Sequence, residues 1–188
     1  MNSILIYFYP LTFYASLFLL LVALVLFRRA GHSWLHIFVV TIFWLYGMLM
    51  VSEALFPIPI VEMDAASAQR EMGEVLARIN WVPFHYGYHT LGRAVFYEVL
   101  FNFLLTVPAG LILPYLFKLR KKRFFMALLV NGLGFEVLQL SISMMVKLAY
   151  RVVDISDVIL NSGGFLFGFG LFWLCSRLLA WISRKFLS

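Results

Sequence analysis

The sequence predicts an all-α integral membrane protein, a bundle of five transmembrane helices with its N-terminus outside and its C-terminus inside. Of its 188 residues, 63% are hydrophobic and only 13% are charged. Apolar segments of membrane-spanning length recur along the chain, and basic residues gather at alternate ends of these segments. Such a composition excludes an ordinary soluble domain, so we interpret residues 1–188 as a single multi-pass domain of the cell membrane.

Five apolar segments approach or exceed the roughly 20 residues that a helix needs to cross a bilayer. They are residues 4–27, 35–56, 94–117, 124–146 and 155–175. None of them is interrupted by a run of charges. The first segment lacks the basic start and the small-residue cleavage site of a signal peptide, so we expect it to be a retained span.

The distribution of Lys and Arg predicts the orientation, because cytoplasmic loops carry the excess of basic residues. Ten basic residues follow the first, third and fifth segments: Arg28, Arg29, Lys118, Arg120, Lys121, Lys122, Arg123, Arg177, Arg184 and Lys185. The opposite side holds five: Arg70, Arg78, Arg93, Lys147 and Arg151. The basic residues flank apolar segments and form no separate basic domain, so we expect no nucleic-acid partner.

Two further segments are expected to lie at the membrane surfaces. The outer loop, residues 57–93, contains a helix-forming stretch over 63–79, and its apolar residues recur at helical spacing at Met72, Val75, Leu76 and Ile79. The tail, residues 177–188, alternates apolar and basic residues. This pattern suits an inner-surface helix bound to anionic lipid, and equally an extension of the last span.

A polar stripe marks residues 151–168, where a charged approach runs into the fifth apolar segment. Its members recur at offsets of 3, 7, 10 and 14, which places them on one helical face: Asp154, Asp157, Asn161, Gly164 and Gly168. Ionisable groups that face lipid are costly. The stripe must therefore face protein or a water-filled cavity.

The fourth segment carries a matching stripe, Glu136, Gln139 and Ser143, at offsets of 3 and 7. The short connection 147–154 makes the fourth and fifth segments antiparallel neighbours. We therefore predict that the two polar stripes meet, and that Gly164 and Gly168 let the fifth segment approach the fourth closely.

Four motifs in this chain, taken together, resemble the VanZ-like membrane proteins. They are N-x-x-P-F (Asn80, Pro83, Phe84), N-x5-P-x-G (Asn102, Pro108, Gly110), E-x-x-Q (Glu136, Gln139) and R-x-x-D-x-x-D-x-x-x-N-x-x-G (Arg151 to Gly164). The resemblance covers residues 80–168. Thr106 and Ser156 depart from the pattern, since the family usually has Phe at the first position and an additional Asp is common at the second.

The resemblance implies a cell-envelope protein that contributes to low-level resistance to glycopeptide antibiotics, notably teicoplanin. The predicted topology puts the motifs on the outer side, in a polar pocket for an envelope lipid, its headgroup or a lipid-linked cell-wall precursor. The candidate catalytic residues, as acid, base or cation ligands, are Glu136, Asp154 and Asp157. The candidate substrate-binding residues are Asn80, Asn102, Gln139, Asn161 and, for a phosphate, Arg151.

Two other functional classes remain open from the residues alone. The carboxylates also suit a small ion- or proton-coupled transporter, and the amides suit a structural polar network in a partner of another membrane protein. His85 and His89 have metal-ligand spacing, but Gly87 between them favours a loop and no third ligand is evident, so we predict no metal site. The sequence identifies no cofactor and no oligomeric state.

Overall fold

A computed structural model describes residues 3–7, 11–86 and 92–186. The described chain is predominantly helical. Its helices are α1 (Leu11–Arg29), α2 (Trp34–Leu55), α3 (Ala65–Ala77), α4 (Gly92–Phe117), α5 (Lys121–Val146) and α6 (Ile155–Phe186). Its strands are β1 (Ser3–Ile6) and β2 (Ile58–Val61).

Five of the described helices, α1, α2, α4, α5 and α6, are long and apolar enough to cross a membrane. The predicted fold class of a five-span helical membrane protein is therefore confirmed. The predicted segments 35–56, 94–117 and 124–146 agree with α2, α4 and α5 to within three residues at each end. Spans are read well from sequence because hydropathy over about 20 residues is a local property.

The predicted first span, residues 4–27, begins too early. Helix α1 begins at Leu11, directly after Pro10 in the sequence, and residues Ser3–Ile6 instead form β1. This strand pairs antiparallel with β2, so that Ser3 lies opposite Val61 and Ile6 opposite Ile58. Hydropathy alone does not distinguish an apolar strand from the first turn of an apolar helix.

The last helix is longer than the predicted span 155–175. Helix α6 continues without a break through Phe186, so the described part of the tail extends the span and does not form a separate surface helix. Arg177 and Lys185 lie over the indole rings of Trp173 and Trp181, at 4.1 and 5.0 Å from the ring centroids. These cation–π contacts join basic and aromatic side chains one turn apart on α6.

Helix α3 confirms the helical stretch predicted in the outer loop. Asp64 caps its N-terminus, and its carboxylate accepts a hydrogen bond of 2.7 Å from the backbone N–H of Ser67. That bond holds the pKa of the Asp64 carboxyl below its usual value. Only part of the predicted apolar face packs, because Val75 is buried whereas Leu76 is exposed.

The chain divides into two compact units. The first unit comprises Met1–Pro83 and Phe135–Ile155, and so includes α1, α2, α3 and the C-terminal part of α5. The second unit comprises Phe84–Gly134 and Ser156–Ser188, and so includes α4, the N-terminal part of α5 and α6.

Within the second unit, α4 and α6 approach so closely that small residues are required. A Cβ atom added at Gly164 would overlap the carbonyl oxygen of Phe103, and one added at Gly168 would overlap that of Val107. On α4, a Cβ atom at Gly110 would overlap the carbonyl oxygen of Phe165. The prediction that Gly164 and Gly168 allow a close approach to the fourth apolar segment, which is α5, is therefore wrong. The helix that they contact is α4, the third apolar segment.

Candidate functional site

Asn80 joins the end of the outer loop to the start of α6. Its backbone N–H donates to the carbonyl of Val153 at 2.9 Å, and its carbonyl accepts from the N–H of Ile155 at 3.0 Å. The amide Nδ2 donates to the Asp154 carboxylate at 2.7 Å, while the amide Oδ1 accepts from the N–H of Val82 at 3.1 Å. Asn80 is thus bonded through four different groups, which gives the N-x-x-P-F motif a physical reason for its asparagine.

Glu136 reaches the same turn from α5. Its carboxylate accepts a hydrogen bond of 3.1 Å from the backbone N–H of Asp154. The two acidic residues are nearly inaccessible, with 4% of Glu136 and 8% of Asp154 exposed. The first unit therefore joins three of the predicted site residues, the buried Glu136 and Asp154 and the half-buried Asn80, in one hydrogen-bonded cluster.

Gln139 and Arg151 contact the C-terminal end of α2, where the last carbonyls of a helix lack partners within the helix. Gln139 donates from its amide to the carbonyl of Ala54 at 2.9 Å. Arg151 donates from Nη2 to the carbonyls of Glu53 and Phe56 at 3.0 and 3.2 Å. These two predicted substrate-binding residues therefore also cap a helix.

Tyr150 completes this cap, and the sequence interpretation missed it. Its hydroxyl donates to the carbonyl of Leu55 at 3.2 Å, so three side chains bond the four consecutive carbonyls 53–56. Burial raises the pKa of the Tyr150 phenol, which keeps the hydroxyl a donor. The sequence does contain a signal for this cap. Helix α2 ends at Leu55, shortly before Pro57 and with no glycine to cap it, so its last carbonyls need hydrogen-bond donors from other segments.

Ser143 lies seven residues after Glu136, on the same face of α5 as Glu136 and Gln139. Only 1% of this residue is exposed, and its hydroxyl has no hydrogen-bond partner within the described ranges. The predicted α5 stripe is thus buried along its whole length, and its C-terminal member retains unused hydrogen-bonding capacity.

The second unit holds the other three predicted residues in two hydrogen-bonded pairs between α4 and α6. Asn102 donates from Nδ2 to the Asp157 carboxylate at 2.5 Å. Thr106, which is fully buried, donates from Oγ1 to the backbone carbonyl of Asn161 at 2.6 Å. Thr106 was noted in the sequence only as a departure from the family pattern, yet it is the α4 residue that contacts Asn161.

Ser156 is a second such departure with a definite contact. It is fully buried, and its hydroxyl accepts a hydrogen bond of 2.8 Å from the backbone N–H of Phe84. Phe84 has a positive φ of 58°, a backbone conformation that is uncommon outside glycine, so an anchor on its N–H helps to hold it. An Asp at position 156 would offer the same kind of acceptor.

The predicted site residues thus lie in two groups. The first unit holds Asn80, Glu136, Gln139, Arg151 and Asp154, and the second holds Asn102, Asp157 and Asn161. The described residues contain no group of three or more His, Cys, Asp or Glu side chains that could hold a metal ion. Of the two histidines weighed above, His89 lies outside the described residues.

A cleft of about 390 Å³ in the first unit involves none of these residues. It is bordered by a hydrogen bond of 2.9 Å from Trp44 Nε1 on α2 to the hydroxyl of Ser16 on α1. Its lining residues are Ser16, Phe43, Trp44, Gly47, Met48 and Val51.

Comparison with protein-family models gives a match over most of the chain. The model of the VanZ/LLP1 family matches residues 38–176, which include α4, α5, every residue of the two groups and most of α2 and α6. No curated protein and no solved structure matches the chain.

Proposed function

The chain belongs to the VanZ/LLP1 family, and from this premise we propose that it binds the phosphate-bearing headgroup of an envelope lipid and thereby contributes to low-level teicoplanin resistance. The proposed site is the first unit's cluster of Asn80, Glu136 and Asp154, together with Arg151. A lipid-linked cell-wall precursor belongs to the same ligand class.

The observation that carries this proposal is the burial of two carboxylic acids in one cluster. Glu136 lies within the α5 span, where a carboxylate costs roughly 2.5 to 3.5 kcal/mol even on a lenient insertion scale. Asn80 alone already ties the outer loop to the start of α6 through two backbone hydrogen bonds. A connection with only a structural role would not need Glu136 and Asp154 as acids, since amides would serve it at lower cost.

Arg151 supplies the complementary charge. It is exposed, and both of its hydrogen bonds to the end of α2 are donated by Nη2. Nε and Nη1 take no part in those two bonds, so their N–H groups can donate to the oxygens of a phosphate. With the guanidinium on the phosphate, Glu136 and Asp154 are suited to accept hydrogen bonds or a proton from hydroxyl or amine groups of the headgroup.

Teicoplanin susceptibility in a bacterial host that depends on this chain for resistance tests the proposal. We expect Glu136→Gln and Asp154→Asn each to reduce resistance to the level of the empty vector, at unchanged amounts of membrane-inserted protein. Ser141→Ala is the matched control, because its exposed hydroxyl bonds only the carbonyl of Val137 on its own helix. Full resistance in both acid variants would contradict the proposal.

Ligand binding is tested separately by native mass spectrometry of the purified chain with a polyprenyl phosphate and with the corresponding uncharged polyprenol. We expect the phosphate to bind preferentially, and Arg151→Lys to weaken this preference at least several-fold, because a lysine keeps the charge but lacks the planar fork of donors. Equal binding of both lipids would remove the phosphate from the proposal.

A further inference from the structure

The second unit contains a polar ladder between α4 and α6, in which the pair Thr106 and Asn161 is buried and the pair Asn102 and Asp157 is half-buried. Asn102 and Thr106 stand four residues apart on α4, and their partners Asp157 and Asn161 stand four residues apart on α6. Residues four apart lie one above the other on a helix face, so the two pairs form successive rungs.

The hydrogen bonds fix which way the Asn102 amide points. An ionised carboxylate can only accept hydrogen bonds, so the atom of Asn102 that contacts Asp157 is the nitrogen. Asp157 lies in the first turn of α6, where the partial positive charge of the helix N-terminus is complementary to a carboxylate. The oxygen of the Asn102 amide is not used in this contact.

Asn161 adds a buried oxygen that has no partner. Only 2% of this residue is exposed, and its side-chain Oδ1 makes no hydrogen bond within the described part of the chain. The hydroxyl of Thr106 donates to the backbone carbonyl of Asn161 and not to its side-chain Oδ1. Side chains on a helix lean toward its N-terminus, so the Asn161 side chain leans toward the turn that carries Asp157.

We propose that this ladder binds a monovalent metal cation, with the Asp157 carboxylate, Asn161 Oδ1 and Asn102 Oδ1 as ligands. These are the oxygen types that hard cations prefer. One carboxylate in the set balances a single positive charge, whereas Ca²⁺ sites usually contain several carboxylates. The cation satisfies the orphaned Asn161 oxygen and stabilises the packing of α4 on α6. The inference uses residues of the second unit only and does not depend on the proposed lipid site.

Thermal unfolding of the purified full chain in detergent tests the inference, with NaCl, choline chloride or CaCl2 at one ionic strength. We expect the unfolding midpoint to rise with Na⁺ along a saturating curve, as ligand binding to the folded state requires. Choline, whose charge is surrounded by alkyl groups and cannot be ligated closely by three oxygens, should give no rise. A flat response of the wild-type chain to Na⁺ would overturn the inference and leave a water molecule as the partner of Asn161. A larger rise with Ca²⁺ would overturn the choice of a monovalent ion.

Two variants assign the effect to the ladder. Asp157→Asn and Asn161→Ala should each abolish the Na⁺-dependent rise. Asn131→Ala is the matched control, because Asn131 is a span asparagine of the same unit whose amide bonds only the carbonyl of Ala127 on its own helix. The control should respond to Na⁺ as the wild type does. An undiminished Na⁺ response in both ladder variants would overturn the assignment.

Discussion

At the scale of single residues, Asn80 shows why one amide can be decisive at a junction. It must donate to Asp154 through Nδ2 and accept from Val82 through Oδ1, so the position needs a side chain that is both donor and acceptor. Aspartate has the same shape but lacks the donor. Alanine offers neither group and leaves the largely buried Asp154 carboxylate without that bond.

We therefore expect Asn80→Ala to lower the free energy of unfolding by about 1 to 3 kcal/mol, the usual cost of leaving a buried polar group unpaired. Asn80→Asp should lower the free energy of unfolding further, because it would place a second carboxylate directly against that of Asp154. Thermal unfolding in detergent measures both effects. Trp81→Ala is the control: 72% of Trp81 is exposed, so its loss should cost less. If the Trp81 variant were the least stable of the three, the bridging role of Asn80 would be refuted.

At the scale of elements, the two units use different kinds of contact: side-chain hydrogen bonds at the end of α2, and close backbone approach between α4 and α6. The C-terminal end of α2 is held by hydrogen bonds from Gln139, Tyr150 and Arg151 to its last carbonyls. The pair α4 and α6 is held by backbone proximity, which requires glycine at positions 110, 164 and 168. Close backbone approach at small residues is the common packing mode of membrane helices, because lipid supplies no hydrophobic driving force between them.

Gly168→Ala should strongly destabilise the protein or prevent its folding, because the added methyl group would overlap the carbonyl of Val107. Gly170→Ala, two residues further along the same helix, has open space at the Cβ position and should be neutral or slightly stabilising, as alanine favours helix over glycine. Yields of folded protein and unfolding midpoints compare the two. Equal stability of both variants would mean that α4 and α6 are not packed as described.

At the scale of the whole molecule, five apolar helices and the charges of the loops between them predict a membrane topology. Arg70 lies in α3 and Lys121 at the start of α5, and the distribution of basic residues predicts that they lie on opposite sides of the membrane. Both residues are exposed, which makes them suitable positions for chemical labelling.

Cysteine labelling in intact cells should follow this topology. In a Cys175→Ala background, which removes the chain's single native cysteine, Arg70→Cys should react with a membrane-impermeant thiol reagent, and Lys121→Cys should react only after the cells are permeabilised. The reverse pattern would invert the orientation. It would also move the proposed lipid site to the inner side of the membrane.

The sequence by itself determined the five-span helical class, the helical stretch of the outer loop and the family, because hydropathy, capping residues and motif spacing are properties of local sequence. It also singled out Glu136 and Asp154 as candidate site residues, whereas their burial is a finding of the structure. Only the tertiary structure decided what each polar or small residue meets: Gly168 meets α4 and not α5, Arg151 caps α2, and residues 3–6 pair with β2 instead of starting a span. Periodicity specifies the face on which a side chain lies, whereas its partner depends on which element packs against that face.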